Sequence, residues 1–103
     1  MLLVQVNCGS LDEAHHIAET VVGERLAAGA NIISQAHSIY RWQGEVVSDP
    51  ECVIWFKTRE AMFDKMAERI KVLHSYNTPC IIGTTIQQGD QAYMDWLTRE
   101  TGG

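Results

Sequence analysis

The sequence predicts an α+β sandwich, in which a four-stranded antiparallel sheet carries helices on one face in the order βαββαβ and one more helix follows. Two observations predict this class. A strand pattern followed by an amphipathic helix pattern occurs twice, and two long β-type segments joined by the short turn Gln43-Gly44 lie between the two helices. With 103 residues, the chain is predicted to form a single domain, residues 1–103.

The first strand and the first helix are predicted near the start of the sequence. Leu2 to Cys8 alternates so that the even-numbered residues share one face of a strand. Ser10 then opens a helix, and Glu13, three residues later, completes a capping box. Gly29 is predicted to cap the other end of this helix. The apolar residues of this helix, from Leu11 to Leu26, fall within one arc of its surface. Arg25 lies within this apolar arc, which predicts a paired or interface position for it.

The segment Ala30 to Thr58 is predicted to form a long hairpin. Each arm has roughly 13 residues and could reach roughly 40 Å, whereas a compact domain of this length is about 33 Å across. We therefore expect other copies of the chain to cover the edges of the hairpin. Tyr40 and Trp42 share a face, which fits an interface anchor as well as a core stripe. Asp49-Pro50 indicates a bulge or a sheet edge.

The second half of the chain repeats the pattern. Thr58 is predicted to cap a second helix, whose apolar stripe runs from Met62 to Leu73. The loop His74 to Pro79, a strand Cys80 to Ile86 and a short helix Gln91 to Thr98 follow, and the tail is expected to fray. Two βαβ halves joined by a hairpin predict the ferredoxin-like sandwich.

Composition limits the partners of the chain. A net charge of −5 argues against nucleic acid and against anionic membrane surfaces. The three cysteines, Cys8, Cys52 and Cys80, form no CxxC pair, which is typical of free thiols in a reducing compartment. The sequence shows no signal-peptide pattern and no apolar run of about 20 residues. We therefore expect a cytoplasmic protein that does not insert into a membrane.

The sequence lacks the motifs of the common enzyme classes. It has no nucleophile elbow, P-loop or GxGxxG segment. The segment Asn7 to Ser10, which follows the first strand, has no Arg for a phosphate cradle of the acylphosphatase kind. The first strand also has no aromatic residue on which a base could stack. The chain is therefore predicted not to be an enzyme.

Several short segments resemble those of the CutA family, the divalent-cation tolerance proteins, in the same order. The resemblance extends from Val4 to Leu97 and implies a tight homotrimer, a role in tolerance of copper and other divalent cations, no catalytic activity and no required cofactor. The segments are Glu24–Ala28, Asn31–Ile33, Ser38–Gly44, Lys57–Arg59, His74–Pro79 and Tyr93–Leu97.

The same resemblance implies metal ligands at Cys8, His74 and Cys80. The chain departs from the family at Cys80, where Glu is usual, at Ser75, where Pro is frequent, and at Leu73, where some members have a second His. If the three ligands converge, a sulfur and nitrogen set suits copper(I) or zinc better than magnesium or calcium. Each residue also has a structural interpretation: Cys8 and Cys80 as buried fillers, and His74 as a partner of the helix dipole.

The alternative function is a small-molecule sensor that resembles the PII nitrogen-regulatory proteins, which bind nucleotide at the clefts of a similar trimer. Such a protein needs a long mobile loop and basic phosphate contacts. This chain has a hairpin in place of the loop, and Lys and Arg together number only 8.

Overall fold

The computed structural model describes residues 1–103, and the order of its elements is the predicted one. Its four strands form one antiparallel sheet in the order β2-β3-β1-β4, which confirms the α+β class. The elements are β1 (Leu2–Cys8), α1 (Leu11–Gly23), β2 (Gly29–Trp42), β3 (Glu45–Thr58), a 3-10 turn (Glu60–Met62), α2 (Phe63–Leu73), β4 (Ile81–Thr85) and α3 (Gln91–Glu100).

One face of the sheet carries the core. In β1 and β3 the pairs Val4–Phe56, Val6–Ile54 and Cys8–Cys52 lie side by side, and all six side chains are buried. Helices α1 and α2 cover this face, and the core that they complete includes Ile17, Val21, Met66 and Ile70. None of the helices combines the length and the apolar character needed to cross a membrane.

The hairpin projects beyond the rest of the sheet, as expected from its length. Strand β1 pairs with β3 only as far as Cys52, so the distal part of β2 and β3 is a two-stranded ribbon. The molecule is accordingly elongated, with extents of 44 × 26 × 22 Å. At the tip, Gln43 and Gly44 have φ values of 50° and 82°. Positive φ at both central residues is the geometry of the type I′ turn, which matches the twist of the strands.

The end of α1 differs from the prediction. The helix ends at Gly23 with Glu24 as its C-cap, whereas Gly29 is already the first residue of β2 and pairs with Lys57. Arg25 is outside the helix, in the left-handed region at φ 62°. Its guanidinium donates hydrogen bonds to the carbonyl oxygens of Arg99 and Glu100 at the end of α3. Arg25 is therefore paired, as predicted, and its partners belong to its own chain.

The prediction that Thr58 caps α2 is wrong, because the residue that precedes this helix is Met62. Thr58 is the last residue of β3, it is fully buried, and its hydroxyl donates to the carbonyl oxygen of Leu26 at 2.6 Å. The tail is not frayed either, because Thr101 is buried and its hydroxyl accepts from Arg59 at 2.9 Å.

The irregularity of the hairpin lies on the arm opposite Pro50. Between Ile33 and Ala36 the register of β2 shifts, and Gln35 there has φ 63°. Pro50 itself remains in register, opposite His37. Because β1 ends at Cys52, this part of β3 has a neighbouring strand on one side only. Pro50 therefore occupies a sheet edge, one of the two predicted alternatives, where its missing N–H is tolerated.

Candidate metal centre

Three potential metal ligands converge where β1 ends, α1 begins and α2 ends. Cys8 is the last residue of β1, Glu13 lies in the first turn of α1, and His74 is the C-cap of α2. Their ligand atoms lie within 4.8 Å of one another. We call these three residues the Cys8 cluster. The crossover connections bring residues that are far apart in the sequence to one end of the sheet.

The thiol of Cys8 is held in its protonated form. The side chain is fully buried and faces Cys52 across the strand pair. Burial raises the pKa of Cys8 to about 12, and the negative charge of Glu13 contributes to the same shift. The thiolate, which is the form that binds metal and attacks electrophiles, is therefore scarce at neutral pH.

Both ring nitrogens of His74 already have hydrogen-bond partners. Nδ1 accepts from the backbone N–H of Tyr76 at 3.1 Å, and Nε2 lies 2.7 Å from the carbonyl oxygen of Asn7. Because an amide N–H can only donate, Nδ1 is unprotonated and Nε2 carries the proton that it donates to Asn7. His74 is only 8% exposed. Its ring also lies against the ring of Tyr76, and the two ring centroids are 4.7 Å apart.

Glu13 links the start of α1 to the loop that follows α2. Its backbone N–H donates to Ser10 Oγ at 3.2 Å, which confirms Ser10 as the N-cap. Its carboxylate accepts from the backbone N–H groups of Ser75, at 2.8 Å, and Gly9, at 3.4 Å. Partial burial alone would raise the pKa of Glu13, but the hydrogen bonds from Ser75 and Gly9 lower it below its usual value.

Cys80 lies outside the Cys8 cluster. It is half-buried and lines a groove of about 640 Å³ together with Tyr40, Trp42, Glu51 and Tyr76. Burial, followed by the nearby charge of Glu51, raises the pKa of the Cys80 thiol. The structure thus brings together two of the three ligands implied by the resemblance, and Glu13 takes the third place.

The sequence does not predict the roles of two residues near the site, Glu13 and Glu51. The capping-box pattern identified Glu13, but only as a helix cap, although it lies five residues after Cys8. Glu51 gave no signal beyond its position in a strand. It is only 8% exposed, and its carboxylate accepts from Tyr76 Oη at 2.9 Å and Asn7 Nδ2 at 3.4 Å.

The donor set of the Cys8 cluster suits a transition metal. One sulfur, one imidazole nitrogen and one carboxylate oxygen are ligands of Zn²⁺ and copper, whereas Mg²⁺ and Ca²⁺ prefer oxygen alone. Binding would require two changes: loss of the Cys8 proton, and release of one nitrogen of His74 from its hydrogen bond. The residues therefore fit a metal ion in kind and place.

Comparison with known proteins points to one family. A family model described as CutA1 divalent ion tolerance protein matches residues 2–100. The chain is 45% identical over 100 residues to the divalent-cation tolerance protein CutA of Thermus thermophilus, with 97% of each chain covered. It is 33% identical to the chloroplastic protein CutA 1 of rice, of whose length it spans only 56%.

Solved structures show the same fold. The divalent cation tolerance protein Cut A1 from Thermus thermophilus superposes with a TM-score of 0.96 at 45% identity, covering 99% of this chain and 100% of the other. CutA1 from Pyrococcus horikoshii superposes with a TM-score of 0.93 at 32% identity, with 100% of both chains covered. The predicted ferredoxin-like sandwich with a long hairpin and an additional C-terminal helix is thereby confirmed.

Proposed function

The chain belongs to the CutA1 family of divalent ion tolerance proteins, and we propose that it is a homotrimeric, non-enzymatic protein that binds copper or another divalent cation in the tolerance of such ions. The observation that carries this proposal is the convergence of Cys8, Glu13 and His74. The alternative of a PII-like nucleotide sensor receives no support from the family match or from the relatives named above.

The proposed ligands are Cys8, His74 and Glu13, with Glu13 in the place that the resemblance assigned to Cys80. All three side chains start from regular elements or their caps, so their backbone positions are fixed by the sheet and the two helices. The raised pKa of Cys8 also supports a non-catalytic role, because a protonated thiol is a poor nucleophile.

Exposed apolar side chains support the trimer. Ile33, Trp42 and Ile82 lie on the sheet face opposite the core, and they are 52%, 55% and 58% exposed. Apolar patches of this kind in soluble proteins mark interaction sites. We place the subunit contact on this face and along the projecting hairpin, near Tyr40 and Trp42. The interface position of Arg25 stays a prediction, because the hydrogen bonds of its exposed guanidinium to α3 do not exclude a subunit contact.

Native mass spectrometry tests both parts of the proposal. Metal-free protein is titrated with Cu(I), Cu(II) and Zn(II), and the spectra report the subunit number and the metal stoichiometry together. A mass of three chains with one metal per chain is expected. A monomer at micromolar concentration, confirmed by light scattering, contradicts the trimer.

Competition with a chelator then assigns the ligands. The affinity for Cu(I) should fall about tenfold or more in each of three variants, because each lacks one proposed ligand. The variants are Cys8→Ser, His74→Gln and Glu13→Gln. Asp12→Asn is the matched control, because Asp12 lies beside Glu13 in the same helical turn but is exposed. Cys80→Ser should bind as the wild type does. Equal affinities in all variants would contradict the proposed site.

A further inference from the structure

Cys8 and Cys52 form a pair of thiols in the core, and Cys52 takes no part in the proposed metal site. They lie directly opposite each other, as the last residue pair between β1 and β3. Both thiols are free, and both residues belong to the core beneath α1 and α2. We call them the cross-strand thiols. The helices of their own chain bury them, so they lie away from the sheet face and the hairpin on which the subunit contact is proposed.

Strand pairing sets the distance between the two backbones. The carbonyl oxygen of Lys57 faces β2, because it accepts from the N–H of Ala28 at 2.9 Å, and Ala28 directly precedes β2. Backbone groups of alternate residues point to opposite sides of a strand, so those of the even-numbered Cys52 face β1. Cys8 and Cys52 are therefore a hydrogen-bonded pair, whose Cα atoms are about 5.5 Å apart. Disulfides most often span about 5.5–6 Å between Cα atoms.

A small shift of one strand end is enough to close the bond. Opposite Cβ atoms in a sheet are about 4.5–5.5 Å apart, whereas a disulfide requires about 3.5–4.5 Å. The shift falls on the end of β1, because Cys8 is its last residue and Gly9 follows it. Strand ends open locally at a lower cost than the middle of a sheet. A disulfide closed against this strain is also more easily reduced.

We infer from these observations that the cross-strand thiols are a redox site, at which hydrogen peroxide links Cys8 and Cys52 by a reversible disulfide. Cys52 is the more exposed of the two, at 6% against 0%, so it reacts first. Its sulfur bonds to one peroxide oxygen, the O–O bond breaks, and the other oxygen leaves as water with the thiol proton. The sulfur of Cys8 then attacks that of Cys52, the S–O bond breaks, and a second water forms with the Cys8 proton. The thiols lose two electrons, which hydrogen peroxide takes up.

Proximity favours the second step. A protonated thiol such as that of Cys8 is a weak nucleophile, but groups held side by side react at effective concentrations far above those in solution. Cys80 has no such position. It lines the groove beside Trp42, on the opposite face of the sheet, and is not part of the core. We therefore expect Cys8, and not Cys80, to close the bond with Cys52.

The disulfide withdraws Cys8 from the Cys8 cluster. This consequence rests on the proposed function, because Cys8 is one of the proposed ligands. The thiolate is the form of cysteine that binds metal, and a sulfur in a disulfide has none to offer. Oxidation should therefore release the metal, and reduction should restore the site.

Peptide mass spectrometry of the metal-free wild type, treated with hydrogen peroxide, tests the link. Free thiols are alkylated in denaturant after the treatment. The peptides that contain Cys8 and Cys52 should be found joined, with the loss of two hydrogen atoms. Dithiothreitol should separate them, whereas a sulfinic acid would resist it. A denaturing gel without reductant should show single chains, because the bond lies within one subunit.

Variants assign the bond, and Zn(II) reports its consequence. In Cys80→Ser, peroxide should leave no free thiol, whereas in Cys52→Val, which keeps the buried position apolar, Cys8 should stay unlinked. The measurement on the wild type remains decisive if Cys52→Val does not fold. In chelator competition with Zn(II), which does not reduce disulfides, the oxidised wild type should bind at least about tenfold more weakly than the reduced protein.

Three results would overturn the inference. The first is that Cys8 and Cys52 stay free under a treatment that oxidises the thiols of the urea-unfolded chain. The second is a link from either residue to Cys80 or to another chain. The third is equal, measurable affinity for Zn(II) before and after oxidation, which contradicts the withdrawal of Cys8. A reduced protein that binds no Zn(II) would instead contradict the proposed function, and the joined peptides would still establish the redox site.

Discussion

The buried thiol of Cys8 should make the protein less stable in alkaline solution. Its pKa in the folded chain is about 12, against 9.0 for an ordinary thiol. Between these values the unfolded chain loses the proton and the folded chain keeps it, so the free energy of unfolding falls by about 1.4 kcal/mol per pH unit. This contribution is fully present below pH 9 and is lost as the pH rises towards 12. From pH 8 to pH 10.5 the expected loss is about 2 kcal/mol.

Urea unfolding of the wild type and of Cys8→Ala at the two pH values measures this loss. Other groups titrate in both proteins, so the difference between their free energies of unfolding isolates Cys8. The substitution should cost about 2 kcal/mol less at pH 10.5 than at pH 8. A cost that is the same at both pH values would show that the thiol has an ordinary pKa, and the reasoning on the Cys8 cluster would fail.

The remaining predictions concern metal, acid and the hairpin turn. Affinity for Zn(II), measured by chelator competition, should rise by about tenfold per unit from pH 7 to pH 9, because binding releases the Cys8 proton; a slope as steep in Cys8→Ser would refute this. Glu13→Gln should lower the thermal midpoint at pH 7 and have a smaller effect in acid, because the stabilisation from a lowered pKa is fully present above the pKa of the unfolded chain, 4.5, and is lost as the pH falls through the lower pKa of the folded chain. Gly44→Val should cost about 1–2 kcal/mol in urea unfolding, since φ is 82° there, and an unchanged midpoint would contradict it.

The strands and the hairpin could be predicted from local patterns. Alternation along β1 identifies its core face, and Gln43-Gly44 marks the turn between two long strands. The end of α1 could not be predicted from such a pattern, because Leu26 continues the apolar arc although it lies outside the helix. It packs against the core from the turn after Gly23, so that periodicity alone extends the helix too far.

Residue type also misled the prediction at Thr58. Threonine suits both an N-cap and a strand, and the choice depends on where its hydroxyl finds a partner. Here the partner is the carbonyl oxygen of Leu26, which is distant in sequence. For the same reason the sequence identified Cys8 and His74 through a resemblance but not the role of Glu13. Only the packing of α1 beside the end of α2 brings its carboxylate to them.

The hydrogen bonds that order the Cys8 cluster also determine which ions could occupy it. The pKa of the Cys8 thiol is about 12, so pH 7 lies about 5 units below it. Deprotonation at pH 7 therefore costs about 7 kcal/mol before any metal bond forms. Release of one nitrogen of His74 from its hydrogen bond adds to this cost. Mg²⁺ and Ca²⁺ gain too little from a thiolate to offset such an amount, whereas thiolates bind copper(I) and zinc strongly. The cost of deprotonation is the same for every ion, so at the proposed site a measurable affinity is expected only for ions that gain strongly from a thiolate ligand.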